Sequence, residues 1–231
     1  MKRVVLVHGA WHGPWCWERI TPGLDEAGVP WVAPDLPSCA AAQQGAGLVE
    51  DVGEVERCID DLAGDEPVVL VGHSRGGLVV SEAGAHERVA HLVYLCAFLL
   101  EPGEGTGPMV ADTVLPIIDF DDTPAGLLGT PRPAEAARVF YDDCSPEDAA
   151  WAIDRVRPMH MGGDSVDPPR TAWRTTPSTY VVCARDLAIP AEHQRRMADR
   201  ASDVIEWDTG HSPFLNRPDL LVALLVDLAT A

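Results

Sequence analysis

Short apolar runs alternate along the chain with longer stretches of helical spacing. Residues 4–7 read as a strand, followed by a helix within 15–27 and a second strand at 31–33. Residues 48–62 carry apolar positions at Val52, Val55, Ile59 and Leu62, the spacing of one helix face. Residues 67–71 form an unbroken apolar strand that leads into a helix over about 75–86, and 91–95 read as a fourth strand. Near the end, 179–183 and 204–207 read as strands, each followed by a helical pattern, from Ala191 and from Pro218. Strands that are apolar throughout are buried on both faces. Their alternation with helices predicts an α/β fold, a mostly parallel sheet of about six strands flanked by helices.

The alternation fails between Glu101 and about Arg174. Residues 101–133 are rich in proline and glycine and hold six acidic side chains, and a helix follows within 146–156. This stretch is expected to be a cap inserted into one domain spanning 1–231, with approximate bounds 101–174. An insertion at the C-terminal edge of a parallel sheet lies over the place where such sheets bind ligands.

Composition narrows the function classes. The formal net charge of -19 argues against a nucleic-acid binder and against docking to an anionic membrane. The longest apolar run, 89–100, contains His91 and is too short to span a bilayer. Residues 4–7 are too few for the apolar part of a signal peptide, so a cytoplasmic protein is expected. Six scattered cysteines without paired spacing suggest free thiols rather than a disulfide framework or a metal site. Lys2 is the single lysine, which disfavours Schiff-base chemistry.

The candidate nucleophile is Ser74, in Gly72-His73-Ser74-Arg75-Gly76. The pattern G-x-S-x-G is weak by itself. Here it ends a strand and opens a helix, the context in which a serine stands on a sharp turn above a sheet edge. The candidate base is His211, in the loop after the last strand and therefore at the same edge. Asp186 follows the preceding strand and can orient an imidazole. Asp203 falls at the wrong end of its strand, and Asp208 is too close in sequence to reach around His211. His73 is read as a packing or hydrogen-bonding group beside the turn. The loop His8-Gly9-Ala10-Trp11-His12-Gly13 can present a backbone N–H, so Ala10 and Arg75 are the expected oxyanion donors.

The segments VLVHGAWHGPWCW, VGHSRGG, STYVVCARDLAIP and DTGHSPFLNRPDLL resemble the methylesterase and hydroxynitrile lyase group of α/β-hydrolases, which includes salicylate-binding methyl esterases. The resemblance covers about two-thirds of the chain and fades across the 101–170 region. It implies the α/β-hydrolase fold with a small helical cap over an apolar pocket, no metal or other cofactor, and Asp186 as the acid of a Ser-Asp-His triad. Lyase members carry a threonine at the Ala10 position and a lysine at the Ser212 position, so the esterase branch fits better.

The expected activity is hydrolysis of a small apolar or aromatic carboxylic ester through an acyl-enzyme, by a monomer or homodimer. Trp11, Phe98, Leu99, Phe140, Trp151 and Met159 are candidates for the pocket wall. A lyase, a natural-product tailoring enzyme and a small-molecule-binding protein on the same fold are the rival readings.

Overall fold

Successive residues of the central strands point to opposite faces of the sheet, and both faces are apolar. On one face Val4, Leu6, Val69, Val71, Val93, Leu95 and Val181 share a core with Leu24, Leu221 and Leu225. On the other, Val5, Val7, Val68, Leu70, Leu92, Tyr94 and Val182 pack with Val52, Ile59, Val79 and Met197. This two-sided burial is why the strands read as continuous apolar runs.

The computed structural model describes residues 1–40, 45–62, 64–163 and 169–231. The strands of the central sheet are β1 (Arg3–Val7), β2 (Trp31–Val32), β3 (Val68–His73), β4 (Val89–Leu95), β8 (Ser178–Cys183) and β9 (Asp203–Trp207). All neighbours pair in parallel, in the order β2-β1-β3-β4-β8-β9. Helices α1 (Thr21–Glu26) and α8 (Pro218–Thr230) supply residues to the first core. Helices α2 (Leu48–Asp61), α3 (Gly76–Ala83) and α6 (Ala191–Ala198) supply the second. Helix α7 (Pro213–Asn216) precedes α8.

The chain leaves β1 toward one side of the sheet to form β2, then crosses back to form β3 on the other side. The loops after β1 and β3 therefore part in opposite directions and leave a crevice at the C-terminal edge. Register brings the strand ends together there, with Val7 beside Gly72, His73 beside Leu95, and Cys183 beside Trp207.

The β4–β8 connection carries helices α4 (Pro133–Phe140) and α5 (Pro146–Ile153). It also holds a three-stranded antiparallel sheet, β5 (Ile118–Thr123), β6 (Gly126–Pro131) and β7 (Met159–His160), where the sequence suggested helices alone. Part of the expected 101–174 cap, residues 164–168, lies outside the described residues. All six cysteines are free. Among the described residues, no helix is long and apolar enough to cross a membrane.

Candidate active site

Ser74 sits directly after β3, with φ at +52°, in the left-handed region that non-glycine residues rarely occupy. Close packing over-determines that strained turn. The Ser74 N–H donates to Leu95 O at 3.2 Å, and its carbonyl accepts from Gly77 N at 3.0 Å and Phe98 N at 3.1 Å. A Cβ on Gly72 would come within 2.6 Å of Gly76 O, and one on Gly76 within 2.7 Å of Val7 O. Both flanking positions therefore need glycine for steric reasons, which accounts for the motif.

His211 follows β9 and is buried, as is Asp186 after β8. Asp186 Oδ2 lies 2.7 Å from His211 Nδ1. A carboxylate only accepts, so Nδ1 carries a proton, and in the neutral imidazole Nε2 is the nitrogen with the free lone pair. The same carboxylate is fixed on every side. Its Oδ1 accepts from the N–H groups of Ala188 at 2.7 Å and Ile189 at 2.9 Å, and its Oδ2 also accepts from Gln194 Nε2 at 2.8 Å.

The backbone of His211 is held as firmly as its ring. Its carbonyl accepts from His73 Nε2 at 2.9 Å and from the Cys96 thiol at 3.4 Å. Burial pushes the His73 pKa well below its ordinary value and that of Cys96 well above, so one is a neutral imidazole and the other a protonated thiol at neutral pH. His73, Cys96 and His211 also offer ligand-type atoms within 4.8 Å of one another. Two of these three side chains are engaged with the His211 carbonyl.

Ser74 and His211 border one cavity of about 100 Å³. Among the described residues no hydrogen bond joins the Ser74 hydroxyl to His211; such contacts commonly tighten only when substrate is bound. Ala10 and Arg75 border the same cavity. The Ala10 N–H makes no backbone hydrogen bond among the described residues. Arg75 is the N-cap of α3, where the N–H groups point out of the helix and the dipole favours negative charge. Its guanidinium turns inward and donates to buried Asp51 Oδ2 at 2.6 Å. Asp51 also accepts from Ser38 N at 2.9 Å and Ser38 Oγ at 2.7 Å, which ties the turn to α2.

Of the residues expected in the pocket wall, Trp11, Phe98, Phe140 and Met159 border the cavity. Leu99 and Trp151 do not. Leu99 is fully buried in the α3 and α6 core, which Phe98 also joins. Trp151 packs edge-on against Trp15 with the Arg19 and Arg155 guanidinium groups over its ring. The sequence reading missed His12, Val110, Val114, Met161 and Ile189, which complete much of the wall. His12 stands in the same loop as Ala10, and Ile189 lies in the segment that carries Asp186, so both were within reach of the reading; Val110, Val114 and Met161 come from the stretch where the resemblance fades.

The α/β hydrolase family model matches residues 4–224. The chain belongs to the alpha/beta hydrolase family. This hydrolase is 31% identical to the alpha/beta hydrolase nvfD of Aspergillus novofumigatus over 98% of its own length and 96% of the relative's. It is 30% identical to the pFDCC methylesterase MES16 of Arabidopsis thaliana, covering 96% of this chain and 92% of the other. The crystal structure of the Arabidopsis methylesterase superposes with a TM-score of 0.84 at 25% identity, covering 100% of this chain and 99% of that one.

Proposed function

We propose that this hydrolase cleaves a small carboxylic ester through an acyl-enzyme, with Ser74 as nucleophile, His211 as base and Asp186 as its orienting carboxylate. One observation carries the proposal. The Asp186–His211 hydrogen bond selects the neutral tautomer whose Nε2 can accept a proton, and His211 and Ser74 border the same cavity.

His211 removes the Ser74 proton as the serine attacks the ester carbonyl. The N–H groups of Ala10 and Arg75 receive the tetrahedral oxyanion, and His211 then protonates the departing alcohol. Water repeats the sequence on the acyl-enzyme and releases the acid. The wall formed by Trp11, Phe98, Phe140 and Met159 suits an apolar or aromatic ester, and the β4–β8 connection serves as the cap. Six free thiols fit a reducing compartment such as the cytoplasm.

Relatives named methylesterases favour hydrolysis over cyanohydrin cleavage, as do Ala10 and Ser212. The test is a panel of methyl, aryl and p-nitrophenyl esters of graded acyl length, run beside mandelonitrile. Turnover of esters without cleavage of mandelonitrile is expected; cleavage of mandelonitrile alone would overturn the proposal.

A further inference from the structure

The β4–β8 connection meets the candidate machinery at several points: Arg157 donates from N to Trp11 O at 2.8 Å and from Nη2 to His12 O at 2.9 Å, Trp11 Nε1 donates to Gly129 O at 3.0 Å, and residues 141–143, just past α4, touch both loops. None of residues 141–143 borders the cavity. Two of them nevertheless reach, by hydrogen bonds, the two loops on which the chemistry depends.

The first link runs to the oxyanion loop. Tyr141 Oη lies 2.8 Å from His12 Nε2, and His12 Nδ1 lies 2.7 Å from Ala10 O. A carbonyl only accepts, so Nδ1 is the protonated nitrogen and Nε2 accepts from the phenol. Burial lowers the His12 pKa to about 3 and pushes that of Tyr141 well above the ordinary phenol value, so both groups are neutral at pH 7. The hydrogen bonds therefore run in one direction, from Tyr141 through His12 to the Ala10 carbonyl. The next residue, Trp11, is held at φ +63°, a conformation that persists only where its surroundings impose it.

The second link runs to the base loop. The Asp143 carboxylate accepts from the N–H of Gly210, the residue before His211, and from the Asn216 side-chain amide. Arg185 stands 3.5 Å from it. A Cβ at Gly210 would fall 2.7 Å from Asp143 Oδ1, so the carboxylate reaches this backbone only because residue 210 is glycine. The His211 carbonyl is already fixed by His73 and Cys96. Asp143 fixes the peptide on the other side.

We propose that Tyr141 and Asp143 are positioning residues. Tyr141, through His12, sets the oxyanion loop, and Asp143 sets the loop that carries His211. The seating of the β4–β8 connection on the core thereby adjusts both halves of the machinery without touching substrate. This rests on the ester-hydrolase reading. Because the transition state is more sensitive to alignment than the bound ester, loss of either link lowers kcat and spares KM.

The experiment compares Tyr141→Phe, Asp143→Ala, Asp143→Asn and Ser74→Ala with the parent on a short p-nitrophenyl ester. Competent sites are counted by end-point titration with a fluorophosphonate. Per titrated site, Tyr141→Phe and Asp143→Ala are expected to lower kcat about tenfold to a hundredfold, with KM within about twofold. Asp143→Asn is expected to recover most of the rate. Its amide oxygen still accepts from Gly210, and Asn216, whose Oδ1 has no partner among the described residues, can rotate to face the new NH2. Tyr141→Phe keeps the buried ring and so decides the matter even where Asp143→Ala fails to fold. A kcat per site within about twofold of the parent, or a loss carried by KM, would overturn the positioning role. An active Ser74→Ala would instead overturn the ester-hydrolase reading beneath it.

Discussion

The carboxylate of Asp186 takes its Oδ2 to His211 Nδ1 at 2.7 Å while its Oδ1 accepts two backbone N–H groups, from Ala188 and Ile189. That division decides what an amide would do here. In Asp186→Asn the amide oxygen must stay with the two N–H donors, so its NH2 faces the imidazole. The histidine is then driven to the tautomer protonated on Nε2, which has no lone pair for the serine proton. The expected result is a kcat lower by about 10³–10⁴-fold with a folded protein, measured by steady-state kinetics and thermal unfolding. A loss below tenfold would mean that Asp186 does not set the tautomer.

Burial of neutral histidines makes stability depend on pH. The His12 pKa is about 3 in the folded protein, against 6.5 when exposed. The unfolded chain therefore binds the extra proton between these values and the folded chain does not, so stability is lost as pH falls from about 6.5 toward 3. At pH 5 His12 alone lowers stability by about 2 kcal/mol relative to pH 7.5, and His73, shifted the same way by burial, adds to it. Asp142, pushed up by burial and by Asp143, works in the opposite sense. Urea midpoints at the two pH values check the sign. A midpoint that does not fall by pH 5 would contradict the neutral buried state of these rings.

Phe98 and Leu99 are neighbours in sequence and share the core beneath α3 and α6, but of the two it is Phe98 that also borders the cavity. Leu99→Ala should cost about 2–5 kcal/mol of stability while leaving KM nearly unchanged at temperatures where it is folded. Phe98→Ala should change KM and the preference among acyl groups. Denaturant titration together with the ester panel separates the two, and a KM effect confined to Leu99→Ala would reverse them.

What the sequence made legible follows from short-range rules. The strand-turn-helix around Ser74 is local, and parallel pairing obliges the ends of β1, β3, β8 and β9 to meet at one edge. That is enough to bring Ser74, Asp186, His211, Ala10 and Arg75 into one neighbourhood. The hairpin of β5 and β6 was hidden because Asp119, Asp121 and Asp122 with Gly126 and Gly129 read as loop; antiparallel pairing overrides those propensities. Asp143 and Tyr141 were hidden for another reason. Their partners, Gly210 and His12, lie 67 and 129 residues away, and no periodicity within either segment marks the contact. Gln194, one turn into α6, grips Asp186 by the same kind of contact, invisible without the fold.

The central claim is that Ser74 forms the acyl-enzyme. Ser74→Ala, assayed on a p-nitrophenyl ester beside the parent and treated with a fluorophosphonate, tests it most directly. The account predicts a kcat lower by about five to six orders of magnitude, no covalent adduct and an unchanged melting profile. Parent-level turnover by the alanine variant, or labelling that survives the substitution, would contradict it.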